Sequence, residues 1–292
     1  MPALKEVKNK IEGVAKTSQI TKAMNMVASA KLRGAQEKME QFRPYNQKFS
    51  AAMSNLSGGM EAGNLPLMEV RDVQSVEIVV VTSDRGLCGS FNARIISTAE
   101  KLMKEFEAQG QKVSLVCVGK KAYQYFRKTD KVRSSYTDIM GTFQMFNARE
   151  ISMDISENFM VGGSDAVRLV YGKFHSIAVQ KPEIEELLPI KPVEDDGGQA
   201  ESSEITGAYI YEPEPAEIME VLLPLYLNVQ IYHAMLEVGA SEHAARMTAM
   251  DNATNACKDI IHDLTQLYNK ARQSAITSEL MDIVGGAEAL KG

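Results

Sequence analysis

Between Ala240 and Val284 the chain runs through 45 residues with neither glycine nor proline, and from Pro2 to Arg43 the only helix-weakening residues are Gly13 and Gly34. Helices of globular domains usually span about 8–20 residues, so uninterrupted helical patterns of this length point to a coiled coil or a helical arm. The apolar spacing agrees. Leu4, Val7, Ile11, Val14, Ser18, Thr21, Asn25, Ala28, Leu32, Ala35, Met39 and Phe42 step by alternating three and four residues. At the other end His243, Arg246, Met250, Ala253, Cys257, Ile260, Leu264, Leu267 and Ala271 do the same. That alternation is the seam of a left-handed two-helix coil, so the two ends are expected to pair with each other, antiparallel.

The middle reads differently. Apolar runs at 76–82, 113–118 and 166–171 alternate with helical patterns at 92–108, 119–128 and 147–161. Strands that are nearly continuous in apolar residues and separated by helices imply a parallel sheet covered on both faces, a Rossmann-like βαβαβ body. The run 177–190 reads as an extended edge, with Pro182 on its exposed side. Residues 191–207 are acidic and rich in Gly and Ser, the composition of a mobile loop. The expected division is therefore an N-terminal coil helix in 1–60, an α/β body in 70–212 and a C-terminal coil helix in 213–292.

Length then matters. A C-terminal helix starting at Pro215 and reaching residue 288 spans roughly 110 Å, against roughly 60 Å for residues 3–43, at ~1.5 Å per residue. If the two leave the body at one level, residue 42 lies near residue 225 and Leu4 near Leu264. The C-terminal helix then overhangs as a single helix carrying Ile276, Leu280, Met281, Ile283, Val284 and Leu290. So apolar a helix needs an enclosing partner. The same register places Thr21 and Asn25 near Arg246 and His243, either as a polar layer that fixes register or as a place where the coil opens toward another protein. Ile20, Met24 and Val27 form a second apolar stripe off the seam, read here as contact surface.

The stretch Ser83-Asp-Arg-Gly-Leu-Cys-Gly-Ser-Phe-Asn92 follows the first strand and raises the question of catalysis. Cys88 fails as a nucleophile because the strand ends near Thr82, whereas a nucleophile elbow presents its side chain almost at the strand end. His233, His243 and His262 lie on the long C-terminal helix, and only His175 follows a strand. No phosphate-binding glycine motif is present, and Asp84 would repel an anion. A net charge of -6 speaks against nucleic acid as the main partner, and three widely spaced cysteines fit a reducing compartment better than a disulfide or zinc framework. The N-terminus has no apolar signal core, and no run approaches 18 apolar residues, so neither a signal peptide nor a membrane span is expected. Eight Lys or Arg against three Glu between Lys5 and Lys38 make that segment basic, which leaves open a solvated helix face or a surface for an acidic partner.

Residues 8–36 (KNKIEGVAKTSQITKAMNMVASAKLRGAQ), 82–92 (TSDRGLCGSFN), 209–215 (YIYEPEP) and 240–289 (ASEHAARMTAMDNAT through GGAEA) closely resemble the γ subunits of F-type ATP synthases in their bacterial form. The resemblance covers essentially the whole chain in order. It implies a central-stalk rotor that performs no bond chemistry and needs no cofactor, with its coiled coil inside an α3β3 hexamer and its body on the ε subunit and the c ring. It further implies contact with the hexamer through Met24, Arg246, Arg272, Gln273, Ile276, Leu280 and Ile283, and with the c ring through Tyr209, Tyr211 and Glu212. Peripheral attachment at the cytoplasmic face of the bacterial membrane follows. The loop at 191–207 lacks a cysteine pair, so no thiol switch is expected. Two readings of other classes stand beside this one: a coiled-coil adaptor without a rotary role, and a nucleotide-binding α/β protein with helical arms.

Overall fold

The computed structural model describes residues 2–57, 65–191 and 214–289. In chain order these form α1 (Pro2–Ser57), a 3-10 turn (Pro66–Met68), β1 (Ser75–Val81), α2 (Phe91–Ala108), β2 (Lys112–Val118), α3 (Lys120–Phe126), β3 (Val132–Tyr136), α4 (Met145–Met160), β4 (Ala166–Phe174), β5 (Gln180–Leu188) and α5 (Pro215–Ala289). They fall into two compact units. One is α1 as far as Ser29 together with α5 from Arg246; the other is Ala30–Ala245.

In the larger unit the strands lie in the order β3-β2-β1-β4-β5. β1 to β4 run parallel; β5 is the edge strand expected from Pro182, which sits opposite Gly172, and it runs antiparallel. The sheet is thus mixed rather than purely parallel. Right-handed crossovers put α2 and α3 on one face and carry α4 back across the other. β1 is buried from Val76 to Val81, as a central strand covered on both faces must be. Residues 215–245 of α5 cover the α4 face: Met219, Leu223, Leu227, Ile231 and Val238 are buried, and Ser152 of α4 hydrogen-bonds Asn228. A window of α5 is long and apolar enough to cross a membrane, but half of it is buried in the protein, as in a core helix.

β3 is absent from the sequence expectation because Val-Arg-Ser-Ser-Tyr is too polar to read as a buried strand. Its place is held by charge as well as by backbone pairing. Glu77, wholly buried in β1, accepts a hydrogen bond from Arg133 Nε of β3 at 2.6 Å. The same guanidinium forks onto Asp154 of α4 at 2.7 and 3.0 Å. Burial pushes the Glu77 carboxyl above its ordinary range, against the pull of Arg133. At Asp154 burial also pushes upward, but hydrogen bonds and charge from Arg133 prevail and hold it below. Two glycines are forced by close packing. Gly119 adopts φ +95 with its Cα against Thr82, where a Cβ would come within 2.1 Å of the carbonyl oxygen, and at Gly172 a Cβ would meet the Phe91 ring at 2.4 Å.

Past the helical pattern that runs unbroken to Arg43, α1 continues through Pro44 to Ser57. Proline there removes one hydrogen bond, yet Phe42 meets Tyr232 edge-on at 5.0 Å and Phe49 stacks with Tyr226 at 6.3 Å, so tertiary packing carries the helix past it. Phe42 therefore faces Tyr232 rather than residue 225, a displacement of seven residues from the expected register.

Candidate functional site

The turn after β1 is organised by its own side chains. The Ser83 amide donates to Asn92 Oδ1 at 3.1 Å and its hydroxyl to the Arg85 carbonyl at 2.7 Å. Asn92 Nδ2 donates in turn to Ser83 Oγ at 2.8 Å and to Cys88 Sγ at 3.2 Å. Cys88 is buried beneath the turn, while Leu87 and Gly89 take the left-handed conformation that closes it. Asp84 does more than repel an anion: it supplies one. Its carboxylate accepts the amides of Lys120 at 2.8 Å, Asp138 at 3.0 Å and Met140 at 2.8 Å, drawing together the loops that follow β1, β2 and β3. In many doubly wound folds these strand-end amides hold a phosphate. Here the amides that follow β2 and β3 are taken by a carboxylate of the chain. Asp84→Ala should therefore cost about 1–3 kcal/mol in urea unfolding by leaving backbone donors without an acceptor, and wild-type stability of the variant would refute this role.

Nothing else at the turn assembles a catalytic group. His175 is exposed in the β4–β5 hairpin, where its amide bonds the Val179 carbonyl. Cys117 lies inside β2, its thiol pushed up to about 12 by burial, so it is inert at neutral pH. Among the described residues no His, Cys, Asp and Glu group has a metal-binding arrangement.

The smaller unit holds the other candidate residues. Every α1 seam position from Leu4 to Ala28 is buried or half-buried. On α5 the expected seam is corrected at three places: Thr254 is buried against α1 where Ala253 was expected, Ile260 and Leu267 are 46% and 52% exposed, and Ile261 and Tyr268 turn inward instead. Steps of 257, 261, 264, 268, 271 and 275 still alternate four and three, so the sequence pattern alone could not choose the phase. Register is corrected too. Thr21 meets Thr254, hydroxyl to hydroxyl at 2.7 Å, and Asn25 Nδ2 donates to the Met247 carbonyl at 2.8 Å, rather than lying beside Arg246 and His243. Continued at this pairing, Leu4 lies beside Ala271 instead of Leu264.

Arg246 is buried on α5 and Met24 is half-buried, whereas Ile20 and Val27 point outward at 59% and 57% exposure. Arg272 and Gln273 are exposed at the level where α1 begins, not beyond it. Ile276, Leu280, Met281, Ile283 and Val284 are all 47–69% exposed, and 276, 280, 283 and 284 share one face of the helix. Surface lysines and arginines of α1 form ordinary i,i+4 pairs, Lys10 with Glu6 and Arg33 with Glu37. Tyr209, Tyr211 and Glu212, like nearly all of the acidic loop, lie outside the described residues. Sequence reasoning missed the Asp84 hub, the Arg133 fork and Thr254; only Asp84, directly after an apolar strand, carried a local signal.

This combination of an α/β body and a two-helix coil has counterparts. The family described as ATP synthase matches residues 3–290. The ATP synthase gamma chain of Desulfotalea psychrophila is 64% identical over 291 residues, covering all of both chains, and that of Nitratidesulfovibrio vulgaris is 52% identical over 294 residues with the same coverage. Among solved structures, a chain from the central stalk and c ring of the Tetrahymena thermophila mitochondrial ATP synthase is similar with a TM-score of 0.61 and 27% identity, over 80% of this chain and 99% of that one. A chain of the Euglena gracilis mitochondrial ATP synthase, at 22% identity and a TM-score of 0.69, shares the fold over 99% of this chain and 95% of its own.

Proposed function

The chain belongs to the ATP synthase γ-chain family and is a non-catalytic, central-stalk rotor subunit, and on that premise we propose how its surfaces divide the work. The coil unit is the part that faces the catalytic hexamer. Met24 and Arg246 act at the level of the polar seam, Arg272 and Gln273 near the start of α1, and Ile276, Leu280 and Ile283 along the apolar bearing. The body, with Tyr209, Tyr211 and Glu212 as its foot, meets the c ring and the ε subunit. Through that assembly the subunit lies at the cytoplasmic face of the bacterial membrane.

The observation that carries this reading is the single helix end beyond α1, with Ile276, Leu280, Ile283 and Val284 exposed along one face. One shaft inside a threefold ring meets each catalytic subunit differently. It drives their conformations only by differences in contact energy between rotor angles, since a ligand that binds two states equally shifts neither. An apolar bearing is weakly directional and permits rotation. Angle-specific work then falls to a few polar groups, of which an exposed arginine fork such as Arg272 is the strongest.

Two variants of the assembled complex test the division together. Arg272→Ala should assemble but slow synthesis and hydrolysis by roughly tenfold, the loss of one charge-assisted hydrogen bond from the angle-dependent step. Cys88→Ser should leave both rates nearly unchanged, because serine can still accept the hydrogen bond from Asn92 and the buried site otherwise asks only for a small side chain. Normal turnover in the first, or a thousandfold loss in the second with assembly intact, contradicts the assignment.

A further inference from the structure

An apolar seam that repeats every seven residues does not by itself fix which residue faces which. The pairing of Leu4 with Leu264, expected from sequence, and the pairing found in the structure differ by one heptad, and both bury an apolar seam. In the larger unit Phe42 against Tyr232 and Phe49 against Tyr226 favour the observed pairing; within the coil itself the apolar seam does not, and something else must hold it there.

We infer that the polar layer Thr21, Asn25 and Thr254 selects the register of the two-helix shaft, and thereby positions Met24 and Arg246 relative to one another. Thr21 and Thr254 are each 8% exposed. Their hydroxyls lie 2.7 Å apart, and each also lies within reach of a carbonyl of its own helix, Ser18 at 3.1 Å and Met250 at 2.8 Å. A hydroxyl has one proton. The set therefore runs as a directed chain, from Thr254 through Thr21 to Ser18 or from Thr21 through Thr254 to Met250, and in either direction the link between helices is made. Asn25 adds a second link to the Met247 carbonyl at 2.8 Å. Moved by one heptad into the alternative register, Thr254 would face Val14, Thr21 would face Met247, and the Asn25 amide would leave its acceptor. The apolar seam survives that slip; the polar layer does not. A half-buried amide without its partner is penalised in a way that an apolar pair is not, which is how a polar seam residue specifies register at some cost in stability. The consequence for a rotor is direct, since Arg246 and Met24 lie beside the layer on opposite helices, and a slip would move one past the other by about two turns of helix.

Cys257, buried in the seam, provides the probe. In the observed pairing it lies level with Ser18, and in the slipped pairing with Ile11. The assembled complex is prepared with Ser18→Cys or Ile11→Cys in this chain, and intrachain disulfide formation with Cys257 under a mild oxidant is compared. With the native layer, the Ser18→Cys variant should form its disulfide at least tenfold faster than the Ile11→Cys variant. In a Thr21→Val, Asn25→Leu, Thr254→Val background that preference should fall by tenfold or more. A Thr21→Ser, Thr254→Ser background, which keeps both hydroxyls, should restore it. Should the triple variant not assemble, Thr254→Val alone is read in the same way. An undiminished preference for position 18 once the layer is apolar overturns the inference, as does a loss of preference in the serine background.

Discussion

Arg133→Met is expected to lower the stability of the body by about 3–5 kcal/mol at pH 8, the range for removing one partner of a buried ion pair. The size follows from what is left behind. Glu77 is wholly buried, and its second carboxylate oxygen has no hydrogen-bond partner, so the charge is held by Arg133 on the other oxygen with weaker help from Asn158 at 3.3 Å. Methionine keeps most of the arginine stem but none of its charge. The pH dependence has a determined sign. Glu77 already has a raised pKa in the folded protein, so its contribution is most favourable when protonated, in acid, and is lost as pH rises through the folded value. Removing Arg133 takes away the interactions that lower that pKa and raises it further. The deficit of the variant should therefore be smaller at pH 5 than at pH 8 in urea unfolding followed by circular dichroism. Asp154 works in the opposite sense: lowered by Arg133 in the native protein, it contributes stability above its unfolded pKa that is lost as pH falls. Because it is partly solvated it should not reverse the trend. Glu77→Gln added to Arg133→Met should recover part of the loss, since the amide needs no counter-charge. A deficit equal at both pH values, or additive double-variant losses, would show that packing rather than charge holds β3.

The same network marks where the sequence was opaque. β1, β2 and β4 were legible because central parallel strands bury both faces and read as apolar runs, and α5 was placed at Pro215 because proline at a first-turn position announces a start. β3 was not, because its residues are held in place through a partner on β1 that is far away in sequence. Asp84 shows the limit in reverse. Its charge was read as a bar to phosphate, but the amides it satisfies come from loops 36 to 56 residues away and could not be located. On the coil, periodicity supplied the α1 seam residue by residue. It left both the phase at Ile260 and Ile261 and the register of the pair undetermined, because three-four and four-three steps bury equally apolar faces. Three-dimensional contacts such as Thr21 with Thr254 were needed to break that tie.

Ile283→Asp should have the largest effect on the assembled machine while leaving the body intact. In the isolated chain Ile283 is 68% exposed and makes one stripe with Ile276, Leu280 and Val284, so an aspartate there loses almost no internal packing and the chain should unfold at the wild-type urea concentration. Within the proposed sleeve the cost is different. Burying the isoleucine contributes about 1.5–3 kcal/mol, and bringing an unpaired carboxylate into an apolar, water-poor surface adds a penalty of at least similar size. A combined cost near ~4 kcal/mol weakens the bearing contact by about a thousandfold. Less complex should therefore be recovered at equal expression, and what assembles should show a lower ratio of ATP made to protons passed. Leu280→Asp, one turn away on the same face, should behave alike. Asp282→Asn, which removes a charge from a neighbouring exposed position, should change neither quantity. The comparison separates a sleeve from a water-filled cavity, since in water an aspartate at position 283 costs no more than the aspartate already present at 282. Equal assembly and equal coupling in all three variants would mean that the apolar stripe turns in solvent, and the bearing would have to lie elsewhere on the coil.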